Sequence, residues 1–380
     1  MDFRAGDPQT IGVEFEMQLL DRESLDLHNG ILPLLEFFPD NPYVKPESIQ
    51  STVEVITPVC RSVAEMHAHL TSLVRELQIR CEQLDMALCG AGTHPFSQKL
   101  ALITPIPRYL AMEQRAGFLI HSQITFATHV HLGMRDGNEA VTLMHRLKPY
   151  LPLLIALSAN SPFWRGYDTG CVSYRHRLLA ASRSYGVPPS FPDWGAFCRF
   201  YDSTHRAGLF QTISDIHWDI RPRPHLGSLE VRTMDTSSTL SEAMALATFV
   251  RALVAFMREH PDRQDLPQPL PWWIEKENHY QASLHGLDAA YIYNEAGDVQ
   301  PLLQVWQAVH AAVEPVAARH GENGYLASLQ RSVHSGPSVA RLRKIWNTCQ
   351  DWREVVTALV AALHDDCQDI PQLLKSTRDL

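Results

Sequence analysis

Residues 11–20 read IGVEFEMQLL, and polar and apolar residues alternate along this stretch. Two carboxylates, Glu14 and Glu16, fall on one face. The opposite face carries four apolar side chains: Val13, Phe15, Met17 and Leu19. A period of two with one apolar face is typical of a β-strand that is buried on one side. We therefore predict a half-buried strand whose other face presents carboxylates.

Two later stretches also predict strands with polar side chains on one face. Residues 49–58, IQSTVEVITP, carry Glu54 on their polar face. Residues 123–134, QITFATHVHLGM, place His129 and His131 on one face, because the two histidines are separated by a single residue. We expect these side chains to join the carboxylates of the first strand.

Arginines accompany a carboxylate in the last predicted pair of strands. Residues 228–235, SLEVRTMD, place Glu230 and Arg232 on one face. The strand before them (217–222) contributes Arg221, and the turn that joins the two strands begins with Arg223. Guanidinium groups bind phosphates and carboxylates through paired hydrogen bonds. This part of the chain therefore predicts an anion-binding edge beside the carboxylates.

The other long elements are predicted to be helices. Residues 62–86 begin with Ser62 and carry Glu65 three positions later, a pairing typical of a helix start. Residues 138–157 are mostly apolar, and the pattern from Leu240 onward is almost wholly helical. Strands and helices do not alternate regularly along the chain. We therefore predict an α+β fold, with a mainly antiparallel sheet and helices packed outside it.

The composition narrows the classes of function. The 380 residues carry a formal net charge of -9, which leaves no broad basic surface for non-specific nucleic-acid binding. The longest apolar stretches, such as residues 151–159, are shorter than a membrane span. The seven cysteines form no CxxC pair and no signal segment is recognisable, so we predict a reducing, cytoplasmic location. We treat residues 1–380 as one domain whose helical part begins at about residue 240.

Carboxylates on several strands can be interpreted in two ways. One interpretation is a plain solvated sheet face, since any single strand can carry exposed acids. Several glutamates on one face, however, repel each other unless a cation lies among them. Carboxylates with one or two imidazoles suit Mg²⁺ or Mn²⁺, and magnesium held in this way is usually shared with phosphate. Because the sequence contains no Walker A or protein-kinase motif, we predict an ATP site of another type.

Six motifs, in a fixed order, are similar to those of one known family. They are IGVEFEMQLLD (11–21), STVEVITPVC (51–60), CGAGTHPF (89–96), THVHLG (128–133), IALSANSPFWRGYDTG (155–170) and HWDIRPRPHLGSLEVRTMD (217–235). Together they resemble the carboxylate–amine ligases of the glutamate–cysteine ligase type 2 family. The resemblance runs from about residue 9 into the C-terminal helices.

This resemblance implies the fold of the glutamine synthetase catalytic domain, in which a curved antiparallel sheet forms a funnel-like active site. It implies a reaction that uses ATP and Mg²⁺ (or Mn²⁺) to join a small-molecule carboxylate to an amine through an acyl phosphate. Weak glutamate–cysteine ligase activity and a homodimer are also implied. No nucleic-acid or membrane partner is expected.

The resemblance also assigns roles to individual residues. Arg232 would stabilise the transferring phosphoryl group, and Glu54 would be the second catalytic residue. The implied metal ligands are Glu14, Glu16, Glu54, His129 and Glu230. The implied contacts with substrate or nucleotide are Arg108, Arg175, Arg221, Arg223 and His131.

One position departs from the family pattern. Where the family generally has a second glutamate, four residues before Glu54, this chain has Gln50. One hypothesis is that Gln50 is a weakened metal ligand, so that Gln50→Glu would lower the magnesium concentration needed for activity. The alternative is that its amide only hydrogen-bonds a neighbouring ligand.

Two other functions stay open on the sequence alone. A metal-dependent amide hydrolase could use the same sheet with a metal-activated water and no nucleotide. A non-catalytic small-molecule sensor could keep the fold, although the complete set of carboxylates together with Arg232 argues against it. Release of ADP separates the ligase from the hydrolase, since only the ligase forms ADP.

Overall fold

A computed structural model of the protein describes residues 1–376, and the side chains through residue 368. Its strands are β1 (Ile11–Asp21), β2 (Val44–Pro46), β3 (Thr52–Ile56), β4 (Met86–Cys89), β5 (Ala127–Gly133), β6 (Phe163–Trp164), β7 (Tyr167–Asp168), β8 (Ile220–Arg223), β9 (Ser228–Asp235), β10 (Ala290–Ile292) and β11 (Val299–Pro301). Seven of them form one sheet in the order β2-β3-β1-β5-β9-β8, with β4 also paired to β1. All pairings in this sheet are antiparallel.

Strand β1 lies at the centre of this sheet because it is long enough to pair with three neighbours. It pairs with β5 along residues 11–15, with β3 along residues 14–18 and with β4 along residues 18–21. Its apolar face is fully buried, whereas Glu14 and Glu16 on the other face keep partial exposure. The predicted half-buried strand is therefore confirmed.

Fourteen helices accompany the sheet among the described residues. They are α1 (Ile31–Leu35), α2 (Val63–Gln83), α3 (Pro107–Ala116), α4 (Phe118–Ser122), α5 (Gly137–Leu147), α6 (Leu151–Ser158), α7 (Arg175–Leu179), α8 (Trp194–Arg206), α9 (Leu240–Glu259), α10 (Trp272–His285), α11 (Leu302–Arg319), α12 (Asn323–Ser335), α13 (Ser338–Cys349) and α14 (Trp352–Ser376). The main core joins Phe15 of β1 to Leu70 of α2 and Phe249 of α9, all without exposed surface. Burial of each such side chain contributes roughly 1.5–3 kcal/mol. The predicted α+β fold with a mainly antiparallel sheet is confirmed.

Helix α9 is a long, apolar helix that lies almost wholly inside the protein. By length and composition alone it could cross a membrane, but 83% of its most apolar window is buried inside the protein. It contacts α2, α11 and α12. We therefore interpret α9 as the central core helix.

Several element boundaries differ from the sequence-based predictions. The helix predicted over 138–157 is two helices, since Lys148–Tyr150 form a 3-10 turn that contains Pro149. Proline lacks the N–H that a continuous helix needs, which explains the break. Strand β3 begins at Thr52 rather than at residue 49, and a β10–β11 hairpin interrupts the C-terminal helices.

Candidate active site

Strand register brings the predicted metal ligands onto one face of the sheet. Glu14 on β1 lies opposite His129 on β5, and Glu16 lies opposite Glu54 on β3. Strand β9 pairs with the far side of β5 and adds Glu230. These side chains come from four strands that are distant in sequence, so the sheet itself assembles the site.

Two histidines of β5 bind the carboxylate of Glu14. The Nδ1 atom of His129 lies 2.8 Å from Glu14 Oε2, and the Nε2 atom of His131 lies 3.0 Å from Glu14 Oε1. Burial alone would raise the pKa of Glu14, but the charge of His131 and these hydrogen bonds hold it well below its ordinary value. Burial, reinforced by the charge of Arg232, lowers the pKa of His129 to about 4. His129 is therefore a neutral imidazole at pH 7, the form that binds metals.

The pKa values of the two neighbouring carboxylates, Glu16 and Glu54, are shifted upward. Burial raises the pKa of Glu16 to about 8, with a further contribution from the charge of Glu47. Burial and the charges of Glu14 and Glu47 raise the pKa of Glu54 well above its ordinary value. Such shifts are expected where like charges converge away from water.

Glu47 is a residue of this cluster that sequence reasoning missed. It follows directly after the short strand β2, whose Lys45 pairs with Glu54 in the register of β3. Burial raises the pKa of Glu47, and the charge of Glu14 raises it further. The signal in the sequence is weak, because a three-residue strand leaves no periodic pattern. Only the pairing of β2 with β3 shows that Glu47 lies beside the other acids.

Three arginines surround the fully buried Glu230. Arg221 donates to both of its carboxylate oxygens at 2.8 and 3.1 Å, and Arg223 donates at 3.0 Å. Arg232 also donates to Glu230. Burial would raise the pKa of Glu230, but the charges of Arg221 and Arg232 lower it well below its ordinary value.

His217 is a second residue of the site that sequence reasoning missed. Burial and the charge of Arg232 lower its pKa to about 3. A neutral imidazole therefore lies beside these arginines.

Arg232 stands between the arginine group and the carboxylate cluster. Burial opposes its charge, but the negative charges of Glu230, Glu14 and Glu16 outweigh burial and raise its pKa. Its side chain keeps 17% of its surface exposed, unlike the enclosed Glu230. A permanently charged fork with an open side is suited to contact an anionic ligand.

The other two predicted arginines, Arg175 and Arg108, make different contacts around the carboxylate cluster. The guanidinium of Arg175 is buried and donates to the main-chain carbonyls of Arg232 and Thr233 at 3.1 and 3.2 Å. His176 bonds the carbonyl of Thr233 as well, at 2.8 Å. Arg175 therefore holds the main chain that carries Arg232.

Arg108 is exposed in the first turn of α3. It lies close enough to Glu47 for its positive charge to oppose the rise in the pKa of Glu47.

The donor set fits a divalent cation of the magnesium type. His129 belongs to two groups of three possible ligand residues. Within each group, the three ligand atoms lie within 4.8 Å of one another. One group contains Glu14 and Glu230, and the other contains Glu16 and Glu54. The buried Nε2 atom of His129 has no hydrogen-bond partner among the described residues. Carboxylate oxygens around an unpartnered imidazole nitrogen form the ligand chemistry that Mg²⁺ and Mn²⁺ accept.

Gln50 lies outside β3, in the turn that precedes it. Its side-chain amide donates to the carbonyl of Ile103 at 3.0 Å, and its main-chain N–H donates to Leu102 at 2.8 Å. The extra carboxylate of the cluster comes instead from Glu47, three residues earlier.

Substitutions of Glu47 and Gln50 test which of the two residues contributes to cation binding. We expect Glu47→Gln to raise the magnesium concentration for half-maximal ADP release, because the cation loses a nearby negative charge. Gln50→Glu is expected to leave that concentration unchanged or raise it, because a carboxylate cannot donate to Ile103. A magnesium titration of both variants measures the effect. A lower requirement in Gln50→Glu would support the original hypothesis of a weakened ligand.

The chain is an α+β protein whose antiparallel sheet carries carboxylates and histidines on one face, beside a group of arginines. The comparisons with known proteins define it further. The family model described as glutamate-cysteine ligase family 2 matches residues 10–362. The chain belongs to this family.

Named relatives cover nearly the whole chain. A protein of Trichormus variabilis named "Putative glutamate--cysteine ligase 2" is 40% identical over 366 residues, which is 96% of this chain and 95% of the relative. A protein of Thermobifida fusca with the same name is 34% identical over 369 residues, 95% of this chain and 92% of the relative. The family resemblance inferred from the six motifs is confirmed.

Solved structures share the fold at low sequence identity. A glutamate–cysteine ligase of Francisella tularensis, solved in complex with AMP, has a TM-score of 0.70 at 14% identity, covering 99% of this chain and 95% of that one. A bifunctional glutathione synthetase of Pasteurella multocida has a TM-score of 0.65 at 12% identity, covering 95% of this chain and 53% of that one. At these identities the likeness establishes the fold alone. The prediction of an α+β fold shared with a glutamate–cysteine ligase is confirmed, whereas the funnel-like shape of the active site stays a prediction.

Proposed function

We propose that this protein is an ATP-dependent carboxylate–amine ligase of the glutamate–cysteine ligase type, acting through an acyl phosphate. Its family membership supports the ligase activity. The observation that carries the proposal is the position of Arg232. It is one of the three arginines around Glu230, and it also interacts with the carboxylates of Glu14 and Glu16. Phosphoryl transfer needs both positive charge at the transferred group and carboxylates that hold its cation.

The proposed metal ligands are Glu14, Glu16, Glu54, His129 and Glu230, with Glu47 close by. A bound Mg²⁺ or Mn²⁺ would supply positive charge that offsets both the carboxylates of these residues and the phosphate oxygens of ATP. Both oxygens of Glu230 already accept hydrogen bonds from arginines, so Glu230 also keeps the guanidinium groups in place. Glu14, in turn, stays ionised because two histidines contact it.

The chain's own residues then position the reacting groups. Arg232 contacts the transferred phosphoryl group while an oxygen of the substrate carboxylate attacks the γ-phosphorus and ADP departs. The amine next attacks the acyl carbon, and the bond between that carbon and the phosphate oxygen breaks to release phosphate. Glu54 is the second proposed catalytic residue. The proposed substrate or nucleotide contacts are Arg108, Arg221, Arg223 and His131, whereas Arg175 acts through the main chain of Arg232.

Release of ADP tests the proposal directly. We expect ADP to form from ATP and magnesium only when a carboxylate and an amine are both present, with glutamate and cysteine as the probes. A coupled assay that follows ADP measures this dependence. Amide hydrolysis without nucleotide would favour the hydrolase instead. The predicted homodimer and cytoplasmic location stay predictions.

Cation binding is expected to release protons and to strengthen as the pH rises. The pKa of about 8 at Glu16 means that this carboxyl is mostly protonated at pH 7 in the cation-free protein, and Glu54 shifts in the same direction. A ligand must lose its proton before it binds a cation, so affinity should increase between about pH 6.5 and 8.5. Calorimetry with Mn²⁺ in two buffers of different ionisation enthalpy measures the protons released. In Glu16→Gln the release should fall, and equal heats in both buffers for the unmodified protein would contradict the predicted protonation.

A further inference from the structure

A cavity of about 290 Å³ lies among helices α9, α12 and α13. Seven of its sixteen lining residues are serines, and the end of α6 closes it near Ser158. The neighbouring residues of α9, including Ala245 and Leu246, belong to the core on the apolar side of the sheet. The cavity is therefore separate from the carboxylate face, where Glu14 and Glu16 lie. It is large enough for a small molecule rather than a single water.

Ser237 gives this cavity an unpartnered donor. Its side chain is 3% exposed, and its Oγ atom has no hydrogen-bond partner among the described residues. Other serines of the cavity are satisfied, since Ser158 donates to Leu154 at 2.7 Å and Ser338 donates to Asn160 at 2.5 Å. A buried hydroxyl without a partner is costly, which points to a ligand or water that accepts from it.

Two arginines set the sign of the charge around the cavity. The guanidinium of Arg341 forms an ion pair with Glu242, so these two charges largely cancel. Arg331 also lines the cavity, and among the described residues none of the ion pairs involves it. Serine hydroxyls together with one uncompensated guanidinium are donors for an oxyanion.

We propose that this cavity binds a small oxyanion, a molecule that presents phosphate or carboxylate oxygens to Ser237 and Arg331. The site also has a route to the carboxylate face. The hydroxyl of Ser158 accepts from the main-chain N–H of Asp235, which ends β9. One residue further, Thr236 donates to the main-chain carbonyl of Glu16 at 2.9 Å. Binding here would therefore stabilise the end of β9 and its contact with the middle of β1, two strands that carry the proposed active site, and it does not depend on the function proposed for that site.

Calorimetric titration with inorganic phosphate and, separately, with malonate tests this proposal. Arg331→Gln should weaken binding of the favoured probe by about tenfold or more, because a charge-assisted hydrogen bond is lost. Arg199→Gln, on the exposed side of α8, makes the same change of charge far from the cavity and should bind as the unmodified protein does. Ser237→Ala removes the buried hydroxyl without adding bulk and should also weaken binding. The probe that responds identifies phosphate or carboxylate as the source.

Two outcomes would overturn the proposal. One is that neither probe binds the unmodified protein at tens of millimolar. The other is that Arg331→Gln and Arg199→Gln bind equally well, which would place the bound anion elsewhere, for example at the arginines around Glu230. Circular dichroism of each variant confirms that the fold is retained, and Arg331 lies on an exposed helix surface where glutamine is tolerated.

Discussion

Arg232→Lys is expected to lower kcat by about 10²-fold or more, roughly 3 kcal/mol of transition-state stabilisation, with little change in ATP affinity. A lysine keeps the positive charge but loses the planar fork that can contact Glu230 and a phosphoryl group together. The loss should therefore fall on the step in which negative charge redistributes. Steady-state kinetics of ADP release, combined with calorimetric ATP binding, separates kcat from affinity.

A matched control uses the same substitution beside the same carboxylate. Arg223→Lys also changes a guanidinium that donates to Glu230, whereas Arg232 interacts with the charges of Glu14 and Glu16 as well. We expect the kcat of Arg223→Lys to fall by much less than that of Arg232→Lys. Near-normal turnover in Arg232→Lys would place Arg232 outside the chemistry and make it a structural partner of Glu230.

Glu54→Ala is expected to abolish the dependence of ATP binding on magnesium, and Glu14→Ala should do the same. In the unmodified protein, ATP should bind tightly only with Mg²⁺ or Mn²⁺. The ionised Glu14 repels the triphosphate unless a cation lies between them, and Glu54, whose pKa is raised, gives up its proton to bind that cation. Removal of either carboxylate takes a ligand from the cation site, and removal of Glu14 also lowers the repulsion of the triphosphate. Calorimetric titration of ATP with magnesium and in excess chelator measures the dependence.

Glu295→Ala is the control, since Glu295 is exposed in the loop between β10 and β11, away from the sheet face. It should keep the full effect of magnesium on ATP binding. Equal ATP affinity of the unmodified protein with magnesium and with chelator would contradict the cation site.

The alternation of IGVEFEMQLL was enough to predict the central strand and the direction of its carboxylates. A period of two determines which face Glu14 and Glu16 share, whatever the rest of the chain does. The pairing of Glu16 with Glu54, by contrast, depends on the register between β1 and β3. Register follows from turns and packing of distant segments, so the sequence could suggest a cluster but not which atoms meet.

The sequence pattern did not predict the positions of three residues: Glu47, Arg175 and Gln50. Glu47 follows a strand of three residues and shows no periodicity, yet the pairing of β2 with β3 brings it to the acids. Arg175 was expected near substrate or nucleotide, but its guanidinium bonds main-chain carbonyls behind Arg232. Gln50 was expected in a strand beside Glu54, whereas it lies in a turn against Ile103. For Arg175 and Gln50 the deciding contacts are with main chain far away in sequence, whereas for Glu47 the deciding feature is the pairing of two short neighbouring strands.

Transfer of an oxygen atom from the carboxylate substrate to phosphate tests the proposed mechanism most directly. When the attacking carboxylate of glutamate is labelled with ¹⁸O and the reaction runs with ATP, magnesium and cysteine, the bridging oxygen of an acyl phosphate leaves with the phosphate. We therefore expect one ¹⁸O atom in each inorganic phosphate released, detected by mass spectrometry or by ³¹P resonance shifts. Unlabelled phosphate formed together with ADP and amide product would contradict an acyl phosphate and the proposed mechanism with it.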